Sequence, residues 1–439
     1  MALPPLALPS LPKSRLLIIG AIGLIALLAV LIFTGIIPGL KGKGTGPAVT
    51  LNVWGVFDNA DTMNQLFSGL GLPYAIAYRQ LDPATYESEL VNALASGKGP
   101  DVFMLHSSWL PKHFGKLAPA PATLLPLADF RALYPTVVEQ DFAPDGVIYA
   151  LPLHIDTLAL LYNRDDFDGK IIPEPPKTWK EFETLIPKLR ELDSTGKIKK
   201  AAAAIGGSTK SISRAADIVS VLMMQSGAPM VRPDFSGADF DHNNPAPLAF
   251  YAKFANPKEK TLYTWNDGFR NALDGFAEGL VDMMFGYGYQ AAAVREKNPF
   301  LKFVVAPLPQ PEQAQNPLTY ANYWGFAVAN TSRAQTASWN FIRAFAASAG
   351  PMKSYAEKTN RLPALRALIG ARLSDPVWGV FAAQALYARS WPQVDNTAID
   401  EIFSNMIADV VGGKATAEKA LSAAEQAVSR LMAKKQGRL

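Results

Sequence analysis

Residues 81–105 read LDPATYESELVNALASGKGPDVFML and place a helix directly before a short apolar strand. Asp82 can cap the helix, Pro83 suits its first position, and Gly97 can end it. The run PDVFML that follows is typical of a short buried strand. This stretch therefore predicts a helix that leads into the interior of a sheet.

A second strand is predicted just before this helix. Residues 50–54, TLNVW, alternate between polar and apolar side chains until Gly55 breaks the pattern. Strand, helix and strand in this order indicate a parallel sheet in an α/β protein, and such sheets bind ligands at the carboxyl ends of their strands. Further strands are predicted at 281–285 and 323–328, and the pattern is mainly helical after Ala334.

Length and composition indicate a folded protein of two globular units. The chain has 439 residues, of which 49% are apolar and 18% charged, and a usual domain holds about 100–200 residues. Its net charge of +4 is spread thinly, without the dense Lys and Arg stripe that nucleic-acid binding requires. We therefore expect no nucleic-acid partner.

The sequence offers no motif for catalysis, a metal or a cofactor. It has no Cys, which excludes disulfides, thiol nucleophiles and a lipid-modified Cys, and its four His lack HxxxH or HExxH spacing. The serine-hydrolase GxSxG and the phosphate-binding P-loop are also missing. GYGYQA at 286–291 imitates a dinucleotide-binding motif, but no ribose-binding acid stands out about 20 residues later, so we interpret it as a cleft loop.

Residues 16–40 contain no charged side chain and are long enough to cross a membrane. A cleaved signal peptide would have a shorter apolar region and a clear cleavage site, so we expect a retained transmembrane anchor. Residues 1–15 are then a short cytoplasmic tail and residues 41–49, KGKGTGPAV, a flexible tether. The globular body is expected on the extracytoplasmic side of the cell membrane.

Aromatic and polar residues occur together at several predicted loop starts. A sugar ring has a weakly polar face and a rim of hydroxyls, so its site needs flat aromatic surfaces beside polar groups. Packing in the core is the alternative for each ring. Residues that fit this pattern are Trp54 with Asp58, Trp109 with Ser107, Trp265 with Asn266, Tyr287, and Tyr323 with Trp324.

Trp324 is the aromatic residue most clearly predicted to stack on a ligand. It lies just before an apolar strand, and the neighbouring Gly325 would let the backbone approach a ligand closely.

Nine stretches resemble, in order, the family 1 extracellular solute-binding proteins, which include the maltose and multiple-sugar binding proteins. They cover nearly all of residues 50–435. The stretches are LNVWGVFD at 51–58, LDPATYESELVNALASGKGPDVFML at 81–105, GVIYALPLHIDTLALLYNRDDFD at 146–168, PKTWKEFETLIPKL at 176–189, GFAEGLVDMMFGY at 275–287, FVVAPLPQ at 303–310, YWGFAVAN at 323–330, NRLPA at 360–364 and VVGGKATAEKALSAAEQAV at 410–428.

This resemblance implies an α/β fold of the type II periplasmic-binding-protein kind, with two lobes, a hinge and an interlobe cleft that closes on the ligand. Lobe one is expected at 50–152 plus 308–350 and lobe two at 153–307. Residues 351–439 would form helices that pack on lobe two and the hinge. The segments 146–162 and 303–309 are the expected crossings between the lobes.

The resemblance also implies a function. The body would be a monomeric substrate-binding subunit of an ABC importer that captures a carbohydrate and delivers it to permease subunits in the membrane, without catalysis. A membrane-tethered cleft enzyme acting on glycans and a sensor signalling through a partner membrane protein are the alternatives. A polyol or a peptide as solute also stays open.

By resemblance, several segments surround the cleft. His154 has a competing structural role, because a hinge imidazole often satisfies backbone groups, and Arg361 could equally pair with an acid at the interface of the C-terminal helices. The implied residues are Trp54, Asp58, His106, His154, Asp156, Tyr287, Tyr323, Trp324, Gly325 and Arg361.

Overall fold

A computed structural model describes residues 49–436 of the protein. The expected tail at 1–15, the anchor at 16–40 and all of the tether except Val49 lie outside these residues. Between residues 49 and 436, no helix combines the length and the apolar composition that a membrane crossing requires.

The strands of this part of the chain are short and occur along most of its length. They are β1 Thr50–Gly55, β2 Ala75–Gln80, β3 Val102–His106, β4 Leu117–Ala118, β5 Ala150–Pro152, β6 Asp156–Thr157, β7 Ala159–Asn163, β8 Glu191–Leu192, β9 Ile198–Ala204, β10 Met230–Val231, β11 Ala238–Asp239, β12 Val281–Gly286, β13 Phe303–Ala306, β14 Ala321–Asn322 and β15 Trp324–Ala329.

Helices alternate with these strands and then dominate after Ala329. They are α1 Ala60–Ser68, α2 Tyr86–Ala95, α3 Leu110–His113, α4 Leu127–Leu133, α5 Thr136–Phe142, α6 Arg164–Gly169, α7 Trp179–Leu189, α8 Ala215–Gln225, α9 Ala246–Lys253, α10 Ala272–Ala277, α11 Gly288–Lys297, α12 Gln335–Ala346, α13 Ala349–Thr359, α14 Arg366–Gly370, α15 Gly379–Ala385, α16 Asn396–Val411 and α17 Ala417–Gln436.

The first sheet has the strand order β2-β1-β3-β15-β4, with β5 also paired to β15. Strand β1 is parallel to β2 and β3, which confirms the parallel sheet predicted from the strand, helix and strand pattern. Strand β15 is antiparallel to β3, with Trp324 opposite His106. Residues 102–105 are fully buried, as expected of a central strand covered on both faces.

Helix α2 begins three residues later than the first helical position predicted at Pro83. The Asp82 carboxylate accepts a hydrogen bond from the Ala84 amide at 2.8 Å and forms a turn, so the helix begins at Tyr86. Gly97 has φ 68°, a left-handed conformation that suits glycine and ends the helix as predicted.

The second sheet has the order β13-β7-β12-β9-β8. Strand β12 is parallel to β9 and antiparallel to β7, whose five residues ALLYN are all buried. The two sheets are joined by two chain crossings that lie side by side, because β6 pairs antiparallel with β14. The segment 303–309, expected to be a crossing, instead begins with β13 at the edge of the second sheet, and the crossing follows at Ala321–Asn322.

The C-terminal helices contact both halves of the body. Helices α16 and α17 pack on each other, and α16 also packs on α8 and α9 beside the second sheet. Helix α13 packs instead on α1 and α12 beside the first sheet, and α14 packs on α4. The expectation that all helices from 351 onward cover lobe two and the hinge is therefore corrected, since Met352 and Tyr355 are buried on the side of the first sheet.

Candidate functional site

A cavity of about 480 Å³ lies next to the two crossings and is lined by residues from the first sheet, from helices α8 and α11 and from the C-terminal helices. Small-molecule sites usually have volumes of about 300–1,000 Å³. In its lining, Phe57, Trp109 and Trp324 lie beside the first sheet, whereas Arg214, Asp217 and Asp400 lie at helices α8 and α16.

The aromatic wall consists of Phe57, Trp109 and Trp324. The Trp324 ring centroid lies 4.9 Å from that of Trp109 and 5.4 Å from that of Phe57, with interplanar angles of 71° and 80°. Because β3 and β15 are neighbours, the sheet brings the start of β15 beside the turn that follows β3. Edge-to-face contacts of this kind contribute about 0.5–1.5 kcal/mol each.

His106 lies between the aromatic wall and the crossings. Its ring centroid is 5.0 Å from that of Trp324, its Nδ1 is 2.8 Å from the Ser108 hydroxyl, and its Nε2 is 3.2 Å from the Asn322 side-chain oxygen. Burial, together with the charge of Arg214, lowers the pKa of His106 to about 4. The imidazole is therefore neutral near pH 7 and can exchange hydrogen bonds with a polar ligand.

Arg361 lines the cavity and is positioned from behind by Asp58. Its Nε donates to the Asp58 carboxylate at 3.1 Å, and the Tyr355 hydroxyl donates to the same carboxylate at 3.0 Å. The guanidinium carbon lies 5.3 Å from the centroid of the Phe57 ring. The ion pair that the sequence offered as an alternative role for Arg361 is confirmed, and Arg361 lines the cavity as well.

Asp156 ties the first crossing to the start of helix α11. Its carboxylate accepts hydrogen bonds from the amides of Gly288 at 2.8 Å and Tyr289 at 3.1 Å. Burial raises the pKa of Asp156 to about 7 in spite of these donors. His154 is also buried, and its Nδ1 lies 3.4 Å from the Tyr355 hydroxyl, so its imidazole contacts a side chain instead of the backbone groups of its alternative role.

The charged wall begins with Arg214 and Asp217. The Arg214 Nε donates to Asp217 at 2.8 Å, and the Tyr287 hydroxyl donates to the same oxygen at 2.5 Å. The Arg214 guanidinium lies 5.7 Å from the centroid of the buried Tyr287 ring. Tyr289 stacks on Tyr287 at 5.8 Å and presents its own ring to the cavity.

Helix α16 completes the charged wall with Asn396 and Asp400, which lie one helical turn apart and both line the cavity. Within residues 49–436, Asp400 forms no hydrogen bond or ion pair, and the Asn396 side-chain oxygen is buried without a partner. Burial and the charge of Asp217 raise the pKa of Asp400 to about 6, against the opposing effect of Arg214.

The structure brings half of the sequence-predicted site residues to the cavity. Those that line it are His106, Ser107, Trp109, His154, Asp156, Trp324 and Arg361. Those outside its lining are Trp54, Asp58, Trp265, Asn266, Tyr287, Tyr323 and Gly325.

Tyr323 and Gly325 support the aromatic wall from behind. The Tyr323 hydroxyl donates to Asp141 at 2.7 Å inside the core. A Cβ on Gly325 would lie 2.5 Å from the Leu151 carbonyl oxygen and 2.7 Å from the Phe142 ring. The expectation that Gly325 lets the backbone approach a ligand is therefore corrected, because this glycine lets β15 pack closely against β5 and Phe142.

Trp54, Trp265 and Asn266 are held in other contacts. Trp265 is 1% exposed and its ring stacks on Phe269 at 4.7 Å, which makes it a core residue. Asn266 donates to the Tyr263 hydroxyl at 2.9 Å. Trp54 is half-buried under the Arg79 guanidinium, 5.1 Å from the ring centroid. Both tryptophans therefore pack against other side chains, which was the alternative to ligand binding.

Sequence reasoning missed most of the charged wall, and it missed Trp378, whose side chain also lines the cavity. Asn396 and Asp400 carried a usable signal, because a spacing of four places two polar side chains on one face of a helix. Arg214 and Asp217 likewise lie three residues apart at the start of α8. Within residues 49–436, no three His, Cys, Asp or Glu side chains are grouped so that they could hold a metal ion.

A family described as bacterial extracellular solute-binding protein matches residues 63–376 of the chain. The maltotriose-binding protein of Pyrococcus abyssi is 34% identical over 110 residues, which are 23% of this chain and 21% of that relative. The chain thus aligns with about a fifth of the length of this curated relative.

Two solved structures have a similar fold at low sequence identity. The sugar-binding protein MalE from Xanthomonas citri is 18% identical with a TM-score of 0.73, over 88% of this chain and 98% of that one. The cyclic alpha-maltosyl-1,6-maltose binding protein from Arthrobacter globiformis is 19% identical with a TM-score of 0.71, over 88% of this chain and 100% of that one. The body therefore has the fold of the maltose-binding-protein-like periplasmic binding proteins.

Proposed function

Since the chain belongs to the family of bacterial extracellular solute-binding proteins, we propose that it captures a carbohydrate in this cavity and delivers it to the permease subunits of an ABC importer. The family is one of binding proteins and not of enzymes. A monomeric body outside the cytoplasm is part of the proposal.

The observation that carries the proposal is that aromatic rings and polar side chains line one cavity. The rings of Trp109 and Trp324 offer flat apolar surface for the face of a sugar. Arg361, Asp156 and Asn396 offer donors and acceptors for its hydroxyl rim. The maltotriose named for the Pyrococcus abyssi relative and the sugar named for the Xanthomonas citri structure agree in ligand class.

Within this site, we assign stacking to Trp324 and Trp109 and hydrogen bonding to His106, Ser107 and Arg361. His154 and Asp156 belong to the crossing on which the two lobes would hinge. The proposed lobes are 50–152 with 308–350, and 153–307, each centred on one of the two sheets. Closure of the lobes would bring the charged wall onto a sugar held by the aromatic wall.

A ligand screen tests the carbohydrate. The full-length chain, purified in a detergent without a sugar head group, is heated with single saccharides, polyols and short peptides. A ligand present at 100 times its Kd should add about 2.7 kcal/mol of stability and raise the melting temperature. Stabilisation by peptides but not by saccharides would contradict the proposal.

Chemical analysis of the recovered ligand tests the absence of turnover. The saccharide that stabilises the chain best should be recovered intact after prolonged incubation. Cleaved or modified sugar would favour the membrane-tethered glycan enzyme instead.

The membrane anchor at 16–40 is proposed from its sequence alone. Protease added to intact cells should release a soluble body that still binds ligand, because cleavage in the tether would cut the chain outside the cell. Protection of the body until the cells are lysed would contradict this orientation.

A further inference from the structure

The charges that line the cavity are unequally paired. Each of the two arginines already faces a carboxylate, Arg361 with Asp58 at 3.1 Å and Arg214 with Asp217 at 2.8 Å. Neither arginine is therefore a free cation for an anionic solute.

The carboxylates that line the cavity differ from the arginines, because not every carboxylate has a partner that compensates its charge. Asp156 is compensated by the amides at the start of α11, and Asp217 by Arg214 and Tyr287. Among residues 49–436, Asp400 has no hydrogen-bond or ion-pair partner, although it lines the cavity and is only partly exposed. An ionised carboxylate that is partly removed from water and left unpaired is costly.

Asn396 adds a second acceptor beside Asp400. Its side-chain oxygen is buried and has no partner among the described residues, and it lies one turn before Asp400 on the same face of α16. Buried polar atoms are usually hydrogen-bonded, so this oxygen lacks a donor. An ammonium group carries three donors and one positive charge, which matches an acceptor oxygen and an unpaired carboxylate.

We propose that the captured solute is a saccharide with a basic amine, an amino sugar, whose ammonium group binds Asp400 and the side-chain oxygen of Asn396. This inference rests on the proposed function of the cavity. The aromatic wall supplies affinity for the sugar face, and α16 selects the amine. A neutral hydroxyl at the same place can donate a hydrogen bond but cannot balance the charge.

Calorimetric titration of the full-length chain with matched sugars tests the inference. Glucose and maltose are compared with derivatives in which one hydroxyl at a time is replaced by an amine, and with the N-acetylated forms of those amines. At least one amine should bind about tenfold or more tightly than both its hydroxyl parent and its acetylated form, since only the ammonium group donates charged hydrogen bonds to Asp400.

Two variants on α16 test whether Asp400 causes the preference for the amine. Asp400→Asn keeps the shape of the side chain and should lower affinity for the amine at least about tenfold more than it lowers affinity for the neutral parent. Glu401→Gln is the matched control, because it removes the same charge from the next residue, which is exposed and outside the cavity. It should keep the full preference.

The outcomes separate this inference from the proposed function. Neutral sugars that bind as tightly as every amine would overturn the amino-sugar inference and leave the carbohydrate-binding function in place. An amine preference that survives Asp400→Asn would overturn the role of Asp400. If no saccharide of the series binds, both the inference and the proposed function fail.

Discussion

The aromatic and charged walls of the cavity are built in different ways. In the aromatic wall, rings contact rings, and Trp324 touches Trp109, Phe57 and His106. In the charged wall, side chains meet through hydrogen bonds, as Arg214 and Tyr287 do with Asp217, and Asp400 has no hydrogen-bond or ion-pair partner among the described residues. The aromatic wall can therefore supply affinity for many flat ligands, whereas the charged wall can distinguish ligands by charge.

The largest expected effect on stability comes from removing an ion pair of the charged wall. Arg214→Met should lower the free energy of unfolding by about 3 kcal/mol, because it leaves the buried Asp217 without its cation. Chemical denaturation measures this change. The control is Arg372→Met, whose pair with Asp375 has the same spacing but is more exposed, so its loss should stay below about 1 kcal/mol. Equal losses of stability in the two variants would contradict the expectation that the ion pair in the cavity contributes more than the more exposed pair.

A smaller effect is expected from the backbone support of the aromatic wall. Gly325→Ala should destabilise the protein by about 2 kcal/mol, since a Cβ there meets the backbone carbonyl of Leu151. Gly350→Ala is the control, because a Cβ at this helical position meets nothing within 4 Å, and stability should stay the same or rise slightly. Unchanged stability in Gly325→Ala would show that β15 and β5 can separate without cost.

The pH dependence of stability should report on Asp141, a buried carboxyl group behind the aromatic wall. Burial raises the pKa of Asp141 to about 7, against the hydrogen bonds from Ser390 and Tyr323. The folded state therefore keeps a proton that the unfolded chain releases near pH 4, so this group lowers stability as pH rises from about 4 to about 7, by at most about 1.4 kcal/mol per pH unit.

The variant Asp141→Asn should remove that part of the pH dependence, as measured by denaturation at several pH values. Asp409→Asn, which removes a more exposed carboxylate on α16, is the control for the loss of one carboxylate. An unaltered slope in Asp141→Asn would show that Asp141 is already ionised in the folded protein at low pH.

The sequence predicts the aromatic wall better than the charged wall for a physical reason. Local patterns predicted strands β1, β3 and β15, and sheet pairing then brings the ends of β3 and β15 together. Alternation along an extended chain also separates Tyr323, which points into the core, from Asn322 and Trp324, which line the cavity. That alternation was available in the sequence and could have removed Tyr323 from the site.

The charged wall depends on contacts between distant parts of the chain. Asp400 lies more than 180 positions after Asp217, and α16 reaches the cavity because its apolar face packs on α8 and α9. No local pattern specifies that packing. Trp265 is the opposite case, a residue that the sequence predicted in the site but that lies outside it. Trp265 with Asn266 fits the sugar-site pattern, although the Trp265 ring lies in the core.

Titration of Trp324→Ala with the saccharide that binds the wild-type chain most tightly tests whether the sugar stacks on the aromatic wall. Affinity should fall at least about tenfold, because loss of a stacking ring costs on the order of 1–3 kcal/mol. Trp265→Phe is the matched control, since it alters a buried ring outside the cavity whose indole nitrogen has no partner among the described residues. It should keep wild-type affinity even if stability falls. Full affinity in Trp324→Ala, with both variants folded, would contradict binding of the sugar on the aromatic wall.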